Sequence, residues 1–366
     1  MIKRNLIDDF RNAVNENDYV LFKYRDVKER NQWNCICSAM DWITVAVEHI
    51  CSNPPKNPTS IQAYAYISSV DIVIEAVCQL HRVLLQTSET LFGKENMVFQ
   101  DNQFNQTDLV YFKTIRACFG AHPVNLDEPN ESSDSHKKRR FASWSGDVAS
   151  GSGAYSVILY SNQVNGDNIF LEINFAEIDA YLEKYYNYLH ELMVEIRRQY
   201  HEYIAAMRKQ KFECTGSPLS QLSILEKQSA MRLDNTHYRV TINQLVELFS
   251  TKVSCDENQP LVEWYRSELL KLIDEIRANL QHMSFVDLTH DNMIGATPTG
   301  LPNGWGYWVG KLSEYIWSNG YLADVWVNKI EKIFGSLFAC EYETYDELYL
   351  LVQAALYRMY VQQNTA

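Results

Sequence analysis

Apolar residues recur every three or four positions through long segments of the first two hundred residues, the pattern of helices that bury one face. The first such segment runs from about Lys28 to Cys51 and stops at SNPPKNP, where prolines and asparagines break the period. The second opens at Thr59 or Ser60, either of which offers a capping hydroxyl, and carries Ile67, Val70, Ile74, Val77 and Leu84 on to about Phe92. A third opens at Thr107, whose hydroxyl suits the free amides, and reads LVYFKTIRACFG before Gly120 and Pro123 bracket its end. Residues 128–153 are rich in Ser, Gly and charge and read as a long mobile loop. The period then changes to two. Tyr155 to Ser161 and Asn168 to Phe175 flank a turn-forming NGD, with Ile169, Leu171, Ile173 and Phe175 on one face, which predicts a β-hairpin. A last long helix is expected from about Ala176 to Lys209, with Ile178, Tyr181, Leu182, Tyr185, Leu189, Leu192, Ile196 and Tyr203 in its stripe.

Two such helix pairs can bury their stripes against one another, so residues 1–212 are expected to form a four-helix bundle with a loop and hairpin insertion at about 128–175. CTGSPLS marks a boundary, with Ser217 as cap and Pro218 as the first helical residue beyond it. Residues 218–366 then repeat helical periodicity near 218–232, 241–251, 260–283, 305–318, 321–338 and 343–362, a second helical domain. The fold class expected is therefore all-α, with the hairpin as a local insertion.

Composition narrows the setting. No run approaches the roughly 20 unbroken apolar residues of a membrane span, and MIKRNLIDDF puts acids where a signal peptide would be apolar, so a cytoplasmic protein is expected, with no membrane partner. A net charge of −13 argues against a protein that coats nucleic acid with a broad basic face; any such contact must be local. Cys35 and Cys37 are one residue apart, unlike zinc knuckles, and no His follows at ligand spacing, so neither a metal nor another cofactor is expected.

Three Arg and His pairs stand four to six residues apart: Arg116 with His122, Arg232 with His237, and Arg277 with His282. In a continuous helix, positions six apart point roughly 120° away from each other. Gly120 and Pro123 favour a broken terminus at the first pair, which would let His122 fold back toward Arg116 and both side chains meet one phosphate. Lys113 lies one turn before Arg116, and Asp71 and Glu75 interrupt an otherwise apolar run on the neighbouring helix. Lys137, Lys138, Arg139 and Arg140, shortly after His122, form the densest positive cluster of the chain, a candidate contact for the backbone of a polyanion. Trp305, Trp308, Leu312, Tyr315 and Trp317 make an aromatic-rich segment that reads first as core.

TIRACFGAHPVNL, set on the third helix of such a bundle, resembles the HEPN superfamily, the higher eukaryote and prokaryote nucleotide-binding domains, over roughly residues 28–209. That family's signature is Arg, four to six residues, then His at the end of the third helix; Ala117 stands where many members carry a polar residue after the Arg. The resemblance implies a metal-independent endoribonuclease of toxin-antitoxin, anti-phage or RNA-processing type. It would act as a homodimer, with RNA as substrate and an antitoxin or other regulatory protein as partner. His122 would then move protons, Arg116 would hold the scissile phosphate, and Asp71 or Glu75 would orient one of them. The other reading that the sequence carries is a non-catalytic HEPN-like module that binds a nucleotide or a protein.

Overall fold

The computed structural model describes residues 2–55, 58–100, 102–121, 126–127, 139–144, 154–301, 303–318, 323–339 and 341–364. It is mostly helical, with a small antiparallel sheet, and divides into two compact units, Met1–His201 and Glu202–Ala366.

The first unit opens with two short helices that the periodicity reading passed over, α1 (Leu6–Asn15) and α2 (Tyr19–Tyr24). Leu6, Ile7, Phe10 and Val14 of α1 are all buried, and the Ile7 amide donates to the Tyr186 hydroxyl. The antiparallel pair follows as α3 (Trp33–Ser52) and α4 (Ser60–Leu84). Thr59 caps α4 in a reciprocal box with Gln62, which satisfies amides that the helix itself cannot. α4 ends eight residues short of the expected Phe92, because Gln86 adopts a left-handed backbone (φ 51°) and turns the chain out of the helix.

α4 is the central element of the unit, packed against α3, against α6 (Phe175–Asn187) and against the end of α5 (Asp108–Arg116). Among the described residues it alone is long and apolar enough to cross a membrane by length and composition. Half of its most apolar stretch is buried inside the protein. α5 does not begin as the sequence implied. Thr107 sits at the N-cap position with its hydroxyl buried and unbonded, while the Asp108 carboxylate turns back to accept from the amides of Met97, Val98 and Phe99. A carboxylate that gathers three loop amides pins the incoming loop to the first turn of the helix, and the Thr107 hydroxyl makes no capping bond. The expected single helix to Lys209 is broken at Tyr188 into α6 and α7 (Leu189–Lys209); Tyr188 donates or accepts at His81 Nδ1 (2.8 Å) and packs edge-on against Phe92.

The expected hairpin is present as β3 (Ala154–Ser161) and β4 (Ile169–Asn174), with Leu171 and Ile173 buried as the alternation implied. The sheet is larger than expected. β2 (Arg139–Trp144) lies antiparallel to β3, and the two-residue β1 (Leu126–Asp127) pairs with β2, in the order β1-β2-β3-β4. Residues 139–144 are thus strand, and only the rest of 128–153 falls outside the described residues. The fold is therefore not all-α in the strict sense.

The second unit contains α8 (Pro218–Met231), α9 (Thr236–Ser250), α10 (Gln259–His282), α11 (Trp305–Ser318), α12 (Ala323–Phe334) and α13 (Tyr345–Asn364). Ser217 accepts from the Ser220 amide and Pro218 occupies the first helical turn, as the sequence implied. α13 is buried almost all round from Leu350 to Tyr357 and forms the unit's axis.

Arg232 is fully buried here, its guanidinium donating to the carbonyls of Met207, Gln210 and Leu280 and to the Gln228 side chain. It adds a charged donor to carbonyls at the ends of helices. Arg232→Met keeps the volume but strips these acceptors. It should lower the unfolding free energy of the full chain by about 3 kcal/mol in a urea titration, four hydrogen bonds from a buried charged donor being lost.

Candidate functional site

The site begins with a charge in an apolar place. Asp71 lies on the inner side of α4 among Val70, Val73 and Ile74, and it is 9% exposed. A lone buried carboxylate would be costly, so its partner matters. That partner is Arg116, the last residue of α5, with Nε 2.9 Å from Asp71 Oδ2. The Arg116 side chain remains 42% exposed, against 12% for Asp71. Among the described residues, its two terminal nitrogens make no hydrogen bond.

Burial pushes the Asp71 carboxyl above its ordinary range. Arg116 and Lys113 pull it back, and Glu75 pushes it up again. Four of the residues singled out in the sequence therefore share one neighbourhood, with Asp71 and Arg116 in contact and Glu75 and Lys113 acting on Asp71 through space. Glu75 is exposed one turn along α4, at the rim of a shallow groove that also takes in Cys35, Trp42 and Ile72.

The helix does not stop after Arg116. It widens into a π-helical turn, Ala117–Ala121, whose Cys118 and Phe119 are buried and which packs against α4. Such turns re-aim whatever follows a helix without ending it. The expected break at Gly120 is replaced by this widening. His122 lies outside the described residues, as do Lys137 and Lys138.

The two arginines of the basic run part company. Alternation along β2 puts Arg140 on the covered face, 8% exposed, donating to the carbonyls of Leu159 and Asp167. It ties the sheet together and does not face an RNA backbone. Arg139 takes the opposite register position and is partly exposed.

The other Arg and His pairs form no comparable site. Arg232 is spent on carbonyls, and Arg277 pairs with Asp274 one turn away on α10 (2.9 Å). Trp305 and Trp308 pack against the core of the second unit; the side chains of Leu312, Tyr315 and Trp317 lie outside the described residues. Among the described residues no three metal-ligating side chains converge. One arrangement went unread in the sequence: Glu275 accepts from the backbone and hydroxyl of Thr289 and from the backbone and Nδ1 of His290 (2.6 Å). Burial pushes the Glu275 carboxyl up, but these hydrogen bonds together outweigh it and hold it below the ordinary range. The spacing of 14 and 15 residues has no sequence signal, since a loop brings the partners back.

Comparison with known protein families, with curated proteins and with solved structures finds no match to this chain.

Two opposite pH responses follow. The folded state holds the Asp71 proton to higher pH than the unfolded chain does, so this group's contribution to stability falls as pH rises from the ordinary carboxylate range through the raised value. Melting curves between about pH 4 and about pH 7 should show wild type losing ground to Asp71→Asn as pH rises. Glu275 has the reverse sign. Its contribution is full above the ordinary carboxylate range and is lost as pH falls through the depressed value, so wild type should lose ground to Glu275→Gln on acidification.

Proposed function

We propose that this chain is a metal-independent endoribonuclease of HEPN type, acting as a homodimer in a toxin, anti-phage or RNA-processing role. Arg116 binds the scissile phosphate and His122 serves as general acid and base. The observation that carries this reading is the state of Arg116: its inner edge is tied to a buried carboxylate while its outer edge, among the described residues, bonds to nothing. An arginine fixed in this way loses little freedom on gripping two phosphate oxygens, and it keeps its proton at any physiological pH.

Cleavage of RNA by its own 2′-hydroxyl needs a group near neutrality to take that proton and another donation to the leaving oxygen. His122, six residues along the sequence from Arg116, has the side chain for both. The product is a 2′,3′-cyclic phosphate and a free 5′-hydroxyl, with no water consumed in the first step. Lys113 adds positive charge one turn back on α5, and Asp71 orients the guanidinium.

Ala117 after the arginine and the net charge of −13 favour a second reading. A module that binds a nucleotide or a protein without turnover has the same anchored arginine.

The test is cleavage of a labelled single-stranded RNA in EDTA by the full chain. Wild type should yield cyclic-phosphate ends, and Arg116→Ala and His122→Ala should each lower the rate by at least about a hundredfold, the usual cost of losing a group that stabilises or protonates the transition state. Equal degradation by wild type and His122→Ala overturns the assignment. Ligand-dependent thermal stabilisation without turnover in wild type selects the binding module instead.

A further inference from the structure

β4 is an edge strand. The order β1-β2-β3-β4 leaves it paired on one side only, and in an antiparallel ladder every second residue turns its N–H and C=O away from the partner. Among the described residues, no backbone hydrogen bond joins Ile169–Ile173 to any element other than β3. Open edges of this kind accept further strands, and proteins commonly guard them with Pro, Lys or a bulge. The strand reads IFLEIN, without Pro or Lys, and its register against β3 is unbroken from Ile169 to Asn174.

A cleft of about 640 Å³ lies along that edge. Consecutive residues of a strand point to opposite faces of the sheet, yet Glu172, Ile173 and Asn174 all line the cleft, which places it beside the strand and not over one face. β3 occupies the other side of β4, so this is the free edge. The far wall is α5, whose Tyr111 and Ile115 stand one turn apart, joined by Phe99 from the loop before the helix. All three are buried, so this wall is apolar. The rim is acidic. Glu172 is exposed, and Glu177 of α6 reaches the loop by accepting from the Gln100 amide (3.0 Å). Among the described residues, no Lys, Arg or His lines the cleft.

We propose that this edge takes an extended, basic segment of a partner protein as a further strand of the sheet. Basic side chains on its outer face meet Glu172 and Glu177, and the alternate, apolar ones turn inward beside Ile173 and the α5 wall. In such strand addition the main-chain hydrogen bonds supply affinity and the alternating side chains supply choice. At roughly 3.3 Å per residue the three lining residues of β4 mark about 10 Å of edge, room for three or four residues of the partner. Charge selects the occupant. A second copy joined at the same edge would bring two Glu172 and two Glu177 carboxylates together, and a polyanion meets the same repulsion. A basic segment meets neither, and the net charge of −13 draws it in.

Fluorescence anisotropy of the full chain with a fluorescein-labelled octapeptide of alternating Lys and Val tests this. One control is the same peptide methylated at every backbone nitrogen, which keeps the charges but has no N–H to donate. The other alternates Glu and Val. The Lys and Val peptide should bind, the methylated one at least about tenfold more weakly, and the acidic one not at all. Charge reversal at the exposed position, Glu172→Lys, should weaken binding of the basic peptide at least about fivefold and admit the acidic one. Equal binding of the methylated and unmethylated peptides marks attraction by overall charge alone and overturns the added strand. So does absence of binding by the Lys and Val peptide, or indifference of both peptides to Glu172→Lys. Loss of self-association in Glu172→Lys without peptide binding to wild type also overturns it, and makes the edge a contact between copies. Neither Glu172 nor Glu177 belongs to the Arg116 site, so the outcome is independent of the cleavage reading.

Discussion

One ion pair organises the first unit: Asp71 on α4 and Arg116 at the end of α5. Burying a carboxylate among Val70, Val73 and Ile74 works against stability, and the raised proton affinity of Asp71 records that cost. What the pair supplies is position. α4 touches α3, α6 and the end of α5, so a side chain tied to its inner face is fixed relative to most of the unit. The arginine so held still leaves its outer fork unoccupied among the described residues, which is the arrangement that anion binding requires.

The π-turn after Arg116 is the second half of that arrangement. Cys118 and Phe119 are buried, and the wider turn that holds them packs against α4. An ordinary α-helical continuation would send residue 122 roughly 120° away from Arg116. The departure from regular geometry therefore falls between the two residues that the proposed chemistry needs.

Much of the helical fold was legible because its cause is local. The stripes of α3, α4 and α10 follow directly from apolar spacing, and Thr59 and Ser217 from capping chemistry. What escaped is tertiary in origin. Gln86 ends α4 by adopting a left-handed backbone that its side chain does not announce, and the break at Tyr188 comes from contacts with His81 and Phe92. Thr107 makes no capping bond, and Asp108 ties down the loop at residues 97–99, whose amides reach its carboxylate. β2 was hidden by the charges before it and the serines and glycines after it, and the burial of Arg140 depends on carbonyls from β3 and the following turn. At the site, two acids interrupting an apolar run were visible. Which of them reaches Arg116 depends on the rotation of α4 in the unit, and that places Asp71 inside and Glu75 outside.

The account stands on Asp71 and Arg116 acting on each other rather than side by side. A double-mutant cycle measures this directly, with unfolding free energies of wild type, Asp71→Asn, Arg116→Gln and the combined variant at neutral pH. A coupling energy of about 1 kcal/mol is the predicted result for a half-exposed pair in contact. Additivity of the two substitutions, within about 0.3 kcal/mol, would contradict it.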